Sequence, residues 1–381
     1  MPKPIKVLHI IKTLNLGGAE VNLLNLLKFI DKSKIDLHVA YSFGGELEPK
    51  FKEAGIKLFK YASKDNKVKS LATLAIVARL ALYIKKNNIQ IIHTHNFSAH
   101  LWGCMAAKLA GIKIVEHVHD FRYLEPDDFA RRRGFNNQYR YIYKLKNVSD
   151  IVVVLTKQNK EFLIKEGIYT ADRIREYQNG IPLDNQIIKK APEGLKLKKD
   201  ALTILTPIRV APEKNVDLIL RIAPTVIKKV PNAVFLIAGD GPLFNESITT
   251  IKKMGLENNI KMIGFHPDIT GLLSISDIFL LPSFLELHSI AILEATSMKV
   301  PVVISQDVGC NSEFVQNWQN GVLLDPFKDD GWAEALIKLL ENPDLRKKIG
   351  EEGYNTCVKE FNIKNVAVKF ESLYKNAINI K

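Results

Sequence analysis

The sequence predicts an α/β protein of two Rossmann-like, doubly wound domains that face each other across a cleft. First, runs of branched apolar residues alternate with longer segments of helical periodicity, which is typical of parallel sheets covered by helices on both faces. Second, a lysine-rich stretch at 185–200, NQIIKKAPEGLKLKKD, interrupts the alternation once and is interpreted as a linker. Third, 381 residues are enough for two domains of ordinary size.

Each predicted domain contains its own series of strands. The first domain is predicted over 1–184, with strands at 6–11, 35–41, 89–95, 112–118 and 150–155 and helices at Ala19–Ile30 and Ala99–Ala110. The second is predicted over 201–362, with strands at 201–208, 233–239, 259–264, 278–282, 301–305 and 321–325. A last helix within 363–381 is expected to cross back to the first domain. Ligands of such sheets bind beyond the carboxyl ends of the strands, so residues at those ends are the candidates for function.

The composition indicates a soluble protein of the reducing cytoplasm. Hydrophobic residues make up 46% and charged residues 25% of the chain, a globular mixture. The longest apolar run, Ser70–Ile84, contains Arg79 and is too short to span a bilayer, and the N-terminus has no signal-peptide cleavage region. Three widely separated cysteines form no C-x-x-C pair, which predicts neither a disulfide framework nor a zinc site.

The net charge of +13 predicts an acidic partner. Arg131–Lys146, RRRGFNNQYRYIYKLK, contains six basic residues, four aromatic residues and no acidic residue. Such a segment suits the headgroups of an anionic membrane or a single-stranded nucleic acid, and it also suits a solvated helix with its aromatic residues packed inward. No nucleic-acid-binding motif is present, so we expect peripheral contact with the inner membrane face and no nucleic-acid partner.

Three glycine-bearing or cationic loops follow predicted strands. Gly17-Gly18 lies between a strand and a helix, where small residues let backbone N–H groups approach a phosphate, although a tight turn explains the pair equally well. Arg209 and Lys214 flank a proline turn and could clamp a diphosphate, the alternative being two solvated surface cations. Gly239-Asp240-Gly241 lacks the G-x-G-x-x-G spacing and is predicted to be a turn, and no dinucleotide fingerprint follows the first strand.

Two carboxylates bracket a predicted helix start in the stretch PSFLELHSIAILEA. If the helix begins near Ser289, Glu286 lies in the loop before it and Glu294 lies one turn inside it. Ser289 is a plausible N-cap, and the amides beyond it, beginning at Ile290, form an anion site together with the helix dipole. A carboxylate just inside the helix could accept hydrogen bonds from ribose hydroxyls. One helix would then bind both the ribose and the phosphates of a nucleotide.

Four histidines alternate at the ends of two strands of the first domain, namely His93, His95, His117 and His119. Alternate strand residues share a face, so each pair could in principle chelate a metal. No third ligand at fixed spacing is evident, so we expect no metal site. One strand-end histidine that faces the cleft could bind a sugar or transfer a proton. Packing is the expected role of two or three of the four.

Seven segments occur in the order found in family 4 retaining glycosyltransferases, which the chain therefore resembles over nearly its whole length. They are LNLGGAE, HTHNFSAHLWGCMAAKLAGIKIVEHVHD, QNGIPLD, IRVAPEKN, LIAGDGPL, FLELHSIAILEA and VGCNSEFVQNWQNGVLLDP. Glu286 and Glu294 are similar to the E-x7-E element of the family. The resemblance implies the GT-B fold and sugar transfer from a UDP- or GDP-linked donor with retention of configuration and without a metal or other cofactor.

The resemblance also implies roles for individual residues. Arg209 and Lys214 would bind the donor diphosphate, Glu294 the ribose, and Glu286 the region of the sugar and phosphates. A second set completes the implied site. His119 would face the donor sugar and acceptor, and Gly17-Gly18 would line the phosphates. Ser289 and Ile290 would contact the donor, and Gly264 and Phe265 would lie near the base. The catalytic residues implied are His119, Glu286, Arg209 and Lys214. The acceptor implied is a glycan, lipid-linked and used in bacterial surface-polysaccharide assembly.

The sequence departs from the family pattern at three positions. Leu287 and Ser289 replace glycines after the first glutamate, and Lys299 replaces the glycine before PVV. Because glycine permits close backbone approach, these changes bear on the shape of the donor-sugar pocket. Two alternatives stay open at this point: a sugar-nucleotide epimerase of the same architecture, and a nucleotide-sugar-binding protein without catalysis.

Overall fold

A computed structural model describes residues 3–62, 70–95, 97–119, 148–183, 194–195 and 197–380 of the chain. It divides into two compact units, one formed by residues 1–180 and 363–381 and the other by residues 181–362. Arg131–Lys146 and most of the predicted linker lie outside the described residues. The prediction of an α/β fold with two parallel sheets is confirmed.

The first unit contains a parallel sheet of seven strands in the order β3-β2-β1-β4-β5-β6-β7. The strands are β1 Ile5–Thr13, β2 Ile35–Phe43, β3 Lys57–Lys60, β4 Ile91–Thr94, β5 Lys113–Val118, β6 Ile151–Val154 and β7 Ile174–Glu176. The helices are α1 Gly18–Phe29, α2 Glu48–Glu53, α3 Ser70–Asn87, α4 Phe97–Ala110 and α5 Lys157–Lys165. The chain runs from β1 to β2 on one side and reaches β4 on the other, so the strand order reverses between β1 and β4.

The second unit contains a parallel sheet of six strands in the order β10-β9-β8-β11-β12-β13. The strands are β8 Leu202–Pro207, β9 Ala233–Ala238, β10 Ile260–Gly264, β11 Ile278–Leu281, β12 Val302–Ser305 and β13 Val322–Leu324. The helices are α6 Val216–Lys229, α7 Phe244–Met254, α8 Ile269–Ser274, α9 Ile290–Ser297, α10 Asn311–Phe314, α11 Trp332–Glu341 and α12 Pro343–Glu360. Here the strand order reverses between β8 and β11.

A last helix, α13 Ile363–Ile378, packs on the sheet of the first unit. Its apolar residues recur every three or four positions, so a single face is buried. The buried residues are Ile363, Val366, Ala367, Phe370, Leu373, Tyr374 and Ala377. This helix therefore supplies part of the first core from the far end of the sequence.

The sequence analysis did not predict two of the strands, β3 and β7, because their apolar patterns are weak. The strand β3, KLFK, has exposed ends and no fully buried residue, and β7 has three residues. Both lie at the edges of the sheet, where one side of a strand is unpaired and strict apolar alternation is not required.

Candidate active site

The reversal of strand order in the second unit brings the predicted donor residues together. In doubly wound sheets the ligand crevice lies beyond the carboxyl ends of the strands where the order reverses. The loop after β8 carries Arg209 and Lys214, and the loop after neighbouring β11 carries Glu286 and Ser289. The candidate site is therefore where topology alone would place a nucleotide.

The loop that carries Arg209 is held by the turn at Gly239–Gly241. Val210 donates its N–H to the Asp240 carbonyl (3.0 Å) and accepts from Leu243 N–H (3.0 Å). A Cβ at Gly239 would lie 1.7 Å from the Ile208 carbonyl oxygen, and one at Gly241 would lie 2.4 Å from that of Val210. The glycines permit this close backbone contact, so the segment acts as a packing turn rather than a dinucleotide-binding loop.

Lys214 and Glu286 form an ion pair inside the site. The Nζ of Lys214 lies 2.5 Å from Oε1 of Glu286, and the two side chains are only 20% and 11% exposed. A second contact, from Phe284 N–H to the Glu213 carbonyl (2.9 Å), ties the two loops together. The carboxylate thus fixes the ammonium at the reversal point, where it can face a bound anion.

The Arg209 side chain is less constrained than that of Lys214. Its side chain is 69% exposed, and its guanidinium lies 4.0 Å from the Glu213 carboxylate. An exposed pair at that separation contributes little to stability. The guanidinium can therefore reorient toward a phosphate at small cost.

Helix α9 begins directly after Ser289, as predicted, but the serine hydroxyl makes no capping hydrogen bond among the described residues. The first amides of a helix, here from Ile290 onward, have no partner within the helix. They remain available to an anion together with the positive end of the helix dipole. The predicted N-cap position is correct, and the predicted capping interaction is not seen.

Glu294 lies in the second turn of α9 and is only partly exposed. Burial raises the pKa of its carboxyl from 4.5 to about 7. A carboxyl with this pKa changes charge near neutral pH, in a position that the sequence assigns to the ribose.

The two departures from the family glycines beside Glu286 have separate structural settings. The Leu287 side chain is buried, and its carbonyl accepts from Cys310 N–H (2.9 Å). A Cβ on Gly309 would lie 2.2 Å from that oxygen, so the facing loop supplies the glycine that the close contact needs. Ser289, in contrast, stays partly exposed at the helix start.

Lys299 explains why a glycine is usual before PVV. Its φ of +62° is left-handed, a conformation that glycine adopts most easily. The side chain points to solvent and pairs with Glu351 at 2.8 Å. The residue follows the C-terminal end of α9, away from the helix start, so the substitution bears on helix termination rather than on the donor pocket.

Gly264 and Phe265 lie at the carboxyl end of β10. Gly264 has a φ of +71°, and its carbonyl accepts from Gly239 N–H (2.7 Å). The Phe265 side chain is 58% exposed. An exposed aromatic ring at a strand end can stack on a planar base, which is compatible with the predicted role.

In the first unit, Gly17-Gly18 follows β1 and opens α1. Gly17 is the N-cap, and a Cβ on it would lie 2.4 Å from a carboxylate oxygen of Glu20. The other oxygen of that carboxylate accepts from the Thr13 hydroxyl at 2.8 Å. An acidic side chain therefore lies beside Gly17, while the space around Gly18 is open.

His119 belongs to a larger cluster of histidines than the sequence suggested. His9, buried in β1, lies beside His95, with 2.9 Å between His9 Nδ1 and His95 Nε2. The Nδ1 of His95 lies 3.0 Å from Nε2 of His119. The prediction overlooked His9 because it sits in the apolar run KVLHII and has the appearance of a core residue.

The sequence shows no third metal ligand at fixed spacing, but the fold brings two groups of three histidines together. The ring nitrogens of His9, His93 and His95 lie within 4.8 Å of one another, as do those of His95, His117 and His119. Three neutral imidazoles suit zinc. Two ring nitrogens in each triad, however, are already engaged in an imidazole–imidazole hydrogen bond.

Comparison with known proteins decides the family. Residues 16–185 match the family described as "Glycosyltransferase Family 4", and residues 187–356 match "Glycosyl transferases group 1". The chain is a family 4 (group 1) glycosyltransferase. The predicted family is thereby confirmed, and an epimerase is not favoured.

Similar proteins include two curated glycosyl-transferring enzymes and a solved structure. An Escherichia coli UDP-Gal:alpha-D-GlcNAc-diphosphoundecaprenol alpha-1,3-galactosyltransferase is 26% identical, over 97% of this chain and 96% of its own length. A Bacillus anthracis N-acetyl-alpha-D-glucosaminyl L-malate synthase is 24% identical, over 80% and 79%. The crystal structure of Anabaena HepE with UDP and glucose has a TM-score of 0.81 at 20% identity, covering 97% of this glycosyltransferase and 99% of HepE. The solved structures that resemble this chain are GT-B glycosyltransferases, so the fold is GT-B.

Proposed function

We propose that this glycosyltransferase transfers a hexose from a UDP-sugar to a lipid-linked glycan with retention of configuration, in the assembly of a bacterial surface polysaccharide. The observation that carries the donor assignment is the Lys214–Glu286 ion pair beside the start of α9, at the reversal of strand order. The UDP and acceptor assignments draw support from the E. coli relative's name and from the UDP and UDP-glucose complexes of HepE.

The proposed chemistry rests on stabilising the leaving diphosphate. As the bond from the anomeric carbon to the diphosphate breaks, negative charge accumulates on the phosphate oxygens. Lys214, Arg209 and the amides at the start of α9 lie where they can bind that charge, and Glu286 holds the ammonium in place beforehand. Fixed charge of this kind lowers the barrier because it needs no reorganisation during the reaction.

The acceptor step follows on the same face of the sugar. The acceptor hydroxyl oxygen bonds to the anomeric carbon, and its proton passes to an oxygen of the departing diphosphate. His119 would hydrogen-bond to the sugar or acceptor. Because two cations and a helix N-terminus already meet the developing charge, we propose that no divalent cation is required.

The UDP assignment is tested by thermal stabilisation with UDP-, GDP- and ADP-sugars. A ligand at 100 times its Kd stabilises the folded state by about 2.7 kcal/mol, and we expect this for the UDP series. Glu294→Ala and Lys214→Ala should lose the shift. Lys229→Ala should keep it, because Lys229 is an exposed cation at the opposite end of α6 from the site. Stabilisation by GDP-sugars alone would overturn the choice of base, and stabilisation by none would overturn the donor site.

The proposed membrane contact finds support in α3 and α4, which pack together and contain neither Asp nor Glu. Their exposed side chains combine apolar and basic groups. The apolar ones are Leu74 (60% exposed), Leu82 (68%), Met105 (39%) and Leu109 (66%), and the basic ones include Lys85, Lys86 and Lys108. Apolar residues flanked by lysines suit an anionic bilayer surface. Among the helices of the described residues, none is both long and apolar enough to cross a bilayer.

Vesicle sedimentation tests this contact. We expect the protein to sediment with vesicles that contain anionic phospholipid and not with zwitterionic vesicles, and binding should weaken as salt rises. The double variant Leu82→Glu with Leu109→Glu should reduce binding strongly. Phe327→Glu, at an exposed aromatic of the second unit, is the matched control. Equal binding by the double variant and the wild type would exclude α3 and α4 as the contact and leave Arg131–Lys146 as the predicted segment.

A further inference from the structure

A continuous hydrogen-bonded chain leads from the core of the first unit to His119. The Tyr374 hydroxyl lies 3.4 Å from Nε2 of His9, which in turn contacts His95 through its Nδ1 at 2.9 Å. The Nδ1 of His95 lies 3.0 Å from Nε2 of His119. We name these four residues, Tyr374, His9, His95 and His119, the imidazole relay. Tyr374, His9 and His95 are at most 1% exposed, whereas His119 is partly exposed.

The fold places the relay at the reversal of strand order in the first sheet. His9 lies in β1, His95 directly follows adjacent β4, and His119 directly follows β5, the next strand along. Tyr374 enters from α13, which packs over these three strands. The relay therefore runs toward the carboxyl edge of the sheet, where ligands of doubly wound folds bind.

Burial keeps the relay neutral. It lowers the pKa of His9 to about 3 and that of His119 to about 4, and it lowers the pKa of His95 as well. A neutral imidazole has one N–H donor and one acceptor nitrogen. Fixing the tautomer of one ring in such a chain therefore fixes the tautomer of every other ring.

The contacts of His93 determine which partner donates in each hydrogen bond of the relay. Its Nδ1 lies 2.7 Å from the Tyr374 hydroxyl, and its Nε2 is buried without a hydrogen-bond partner among the described residues. If the tyrosine donated to His93, the proton of His93 would be on Nε2, as an unpaired buried N–H. If His93 donates to the tyrosine, only a lone pair is unpaired. Unpaired buried N–H groups are the rarer of the two, so the second arrangement is favoured.

This direction of donation determines which ring nitrogen of His119 carries the proton. Tyr374 then donates to His9, His9 donates through Nδ1 to His95, and His95 donates through Nδ1 to Nε2 of His119. The proton of neutral His119 is left on Nδ1. We propose that the imidazole relay holds His119 in the Nδ1–H tautomer, so that it acts as a hydrogen-bond donor, with His95 as its direct positioning residue.

The catalytic consequence rests on the proposed function, in which His119 contacts the sugar or acceptor. The tautomer itself does not rest on it. A measurement of the tautomer thus separates failure of the relay from failure of the functional assignment.

The test is long-range ¹H–¹⁵N correlation NMR of the protein labelled with ¹⁵N-histidine. In the wild type, Nδ1 of His119 should show the shift of a protonated nitrogen and Nε2 that of an unprotonated acceptor. Tyr374→Phe removes only the hydroxyl at the start of the relay, and His95→Phe removes the ring next to His119. In His95→Phe the Nε2–H tautomer of His119 should become the major one, because a neutral imidazole without the hydrogen bond from His95 prefers it. In Tyr374→Phe the Nδ1–H tautomer should persist, because reversing the remaining hydrogen bonds would leave an unpaired buried N–H on Nε2 of His9.

The control is His38→Phe, which removes a buried imidazole from β2 of the same sheet. This imidazole contacts Tyr83 of α3 and lies outside the relay. It should leave the His119 signals unchanged. A wild type with His119 protonated on Nε2, or an unchanged tautomer in His95→Phe, would overturn the proposal. Stoichiometric zinc that shifts the signals of His95, His117 and His119 together would also overturn it, since these rings would then be a metal site.

Activity supplies a second readout. In His95→Phe we expect kcat to fall by about tenfold, the cost of one misdirected hydrogen bond, while KM for the donor stays the same. A fall in kcat in His95→Phe without a tautomer change would assign His95 a structural role and overturn the relay.

Discussion

Lys214→Ala is expected to lower kcat by about 10² to 10³-fold, the range found when one preorganised donor to a developing anion is removed. In this glycosyltransferase the loss has two sources. The leaving diphosphate loses a cation, and the Glu286 carboxylate, only 11% exposed, is left facing it without its partner. Steady-state kinetics with saturating acceptor measure the effect. Lys229→Ala, which removes the same charge from the far end of α6, should retain wild-type rates.

The double variant Lys214→Ala with Glu286→Gln separates the two sources. Neutralising the orphaned carboxylate should recover part of the lost rate, so that the effects of the two substitutions are not additive. Strict additivity would mean that the ion pair does not act as a unit. If Lys214→Ala alone kept kcat within roughly threefold of the wild type, transition-state stabilisation by this lysine would be excluded.

Glu294 should make the stability of the second unit fall as pH rises through neutrality. Its carboxyl has a pKa of about 7 in the folded protein, raised by burial from 4.5. Between those values the folded state keeps a proton that the unfolded state has lost, so the stabilising contribution is complete below pH 4.5 and is lost as pH rises through 7. The shift corresponds to a loss of up to about 3 kcal/mol.

Urea unfolding at pH 4.5 and pH 8 measures this contribution. In a Trp102→Phe background the remaining tryptophans, Trp318 and Trp332, both report on the second unit. The difference in unfolding free energy between the parent and a Glu294→Gln variant should change by about 3 kcal/mol from pH 4.5 to pH 8. Glu334→Gln, an acid in the first turn of α11, is the control and should show no such change. A pH-independent difference at Glu294 would refute the raised pKa.

The same carboxyl predicts how donor binding depends on pH. Ribose hydroxyls donate better to an ionised carboxylate, so below pH 7 the Kd of UDP-glucose should rise by up to tenfold per pH unit. UDP-glucose is the right probe because its diphosphate does not titrate in this range. Glu294→Gln should bind with a weaker but nearly constant Kd. Calorimetric titrations at pH 6 and pH 8 distinguish the two behaviours, and parallel pH dependence in both proteins would remove Glu294 from the ribose site.

The sequence was sufficient to predict the fold, and it placed the candidate donor residues at one edge of the second sheet for the same reason. Strands buried on both faces are continuous apolar runs, and in doubly wound sheets the residues just after such runs meet at one edge. Arg209, Lys214, Glu286 and Glu294 all follow strands of the second sheet, directly or within α9. The pairing of Lys214 with Glu286 was harder to predict, because it joins two loops 72 residues apart in the chain.

The relay could not be predicted because its members have the appearance of core residues. His9 lies inside an apolar strand, and Tyr374 occupies a regular apolar position of α13. A buried polar residue is visible in a sequence only when its partner is known, and these partners lie 365 residues apart. The missing third ligand near His93 and His95 was overlooked for the same reason.

Helix α13 also fixes the order in which the protein can be completed during synthesis. The second unit is continuous from residue 181 to residue 362, so all of its sheet has left the ribosome before the first sheet receives its covering helix. Until then the apolar surface that Phe370 and Tyr374 will cover stays open to solvent and to other nascent chains. Exposed surface of this kind makes a folding intermediate prone to aggregation. The N-terminal unit is therefore the first to be translated and the last to be finished, and its dependence on chaperones should exceed that of the C-terminal unit.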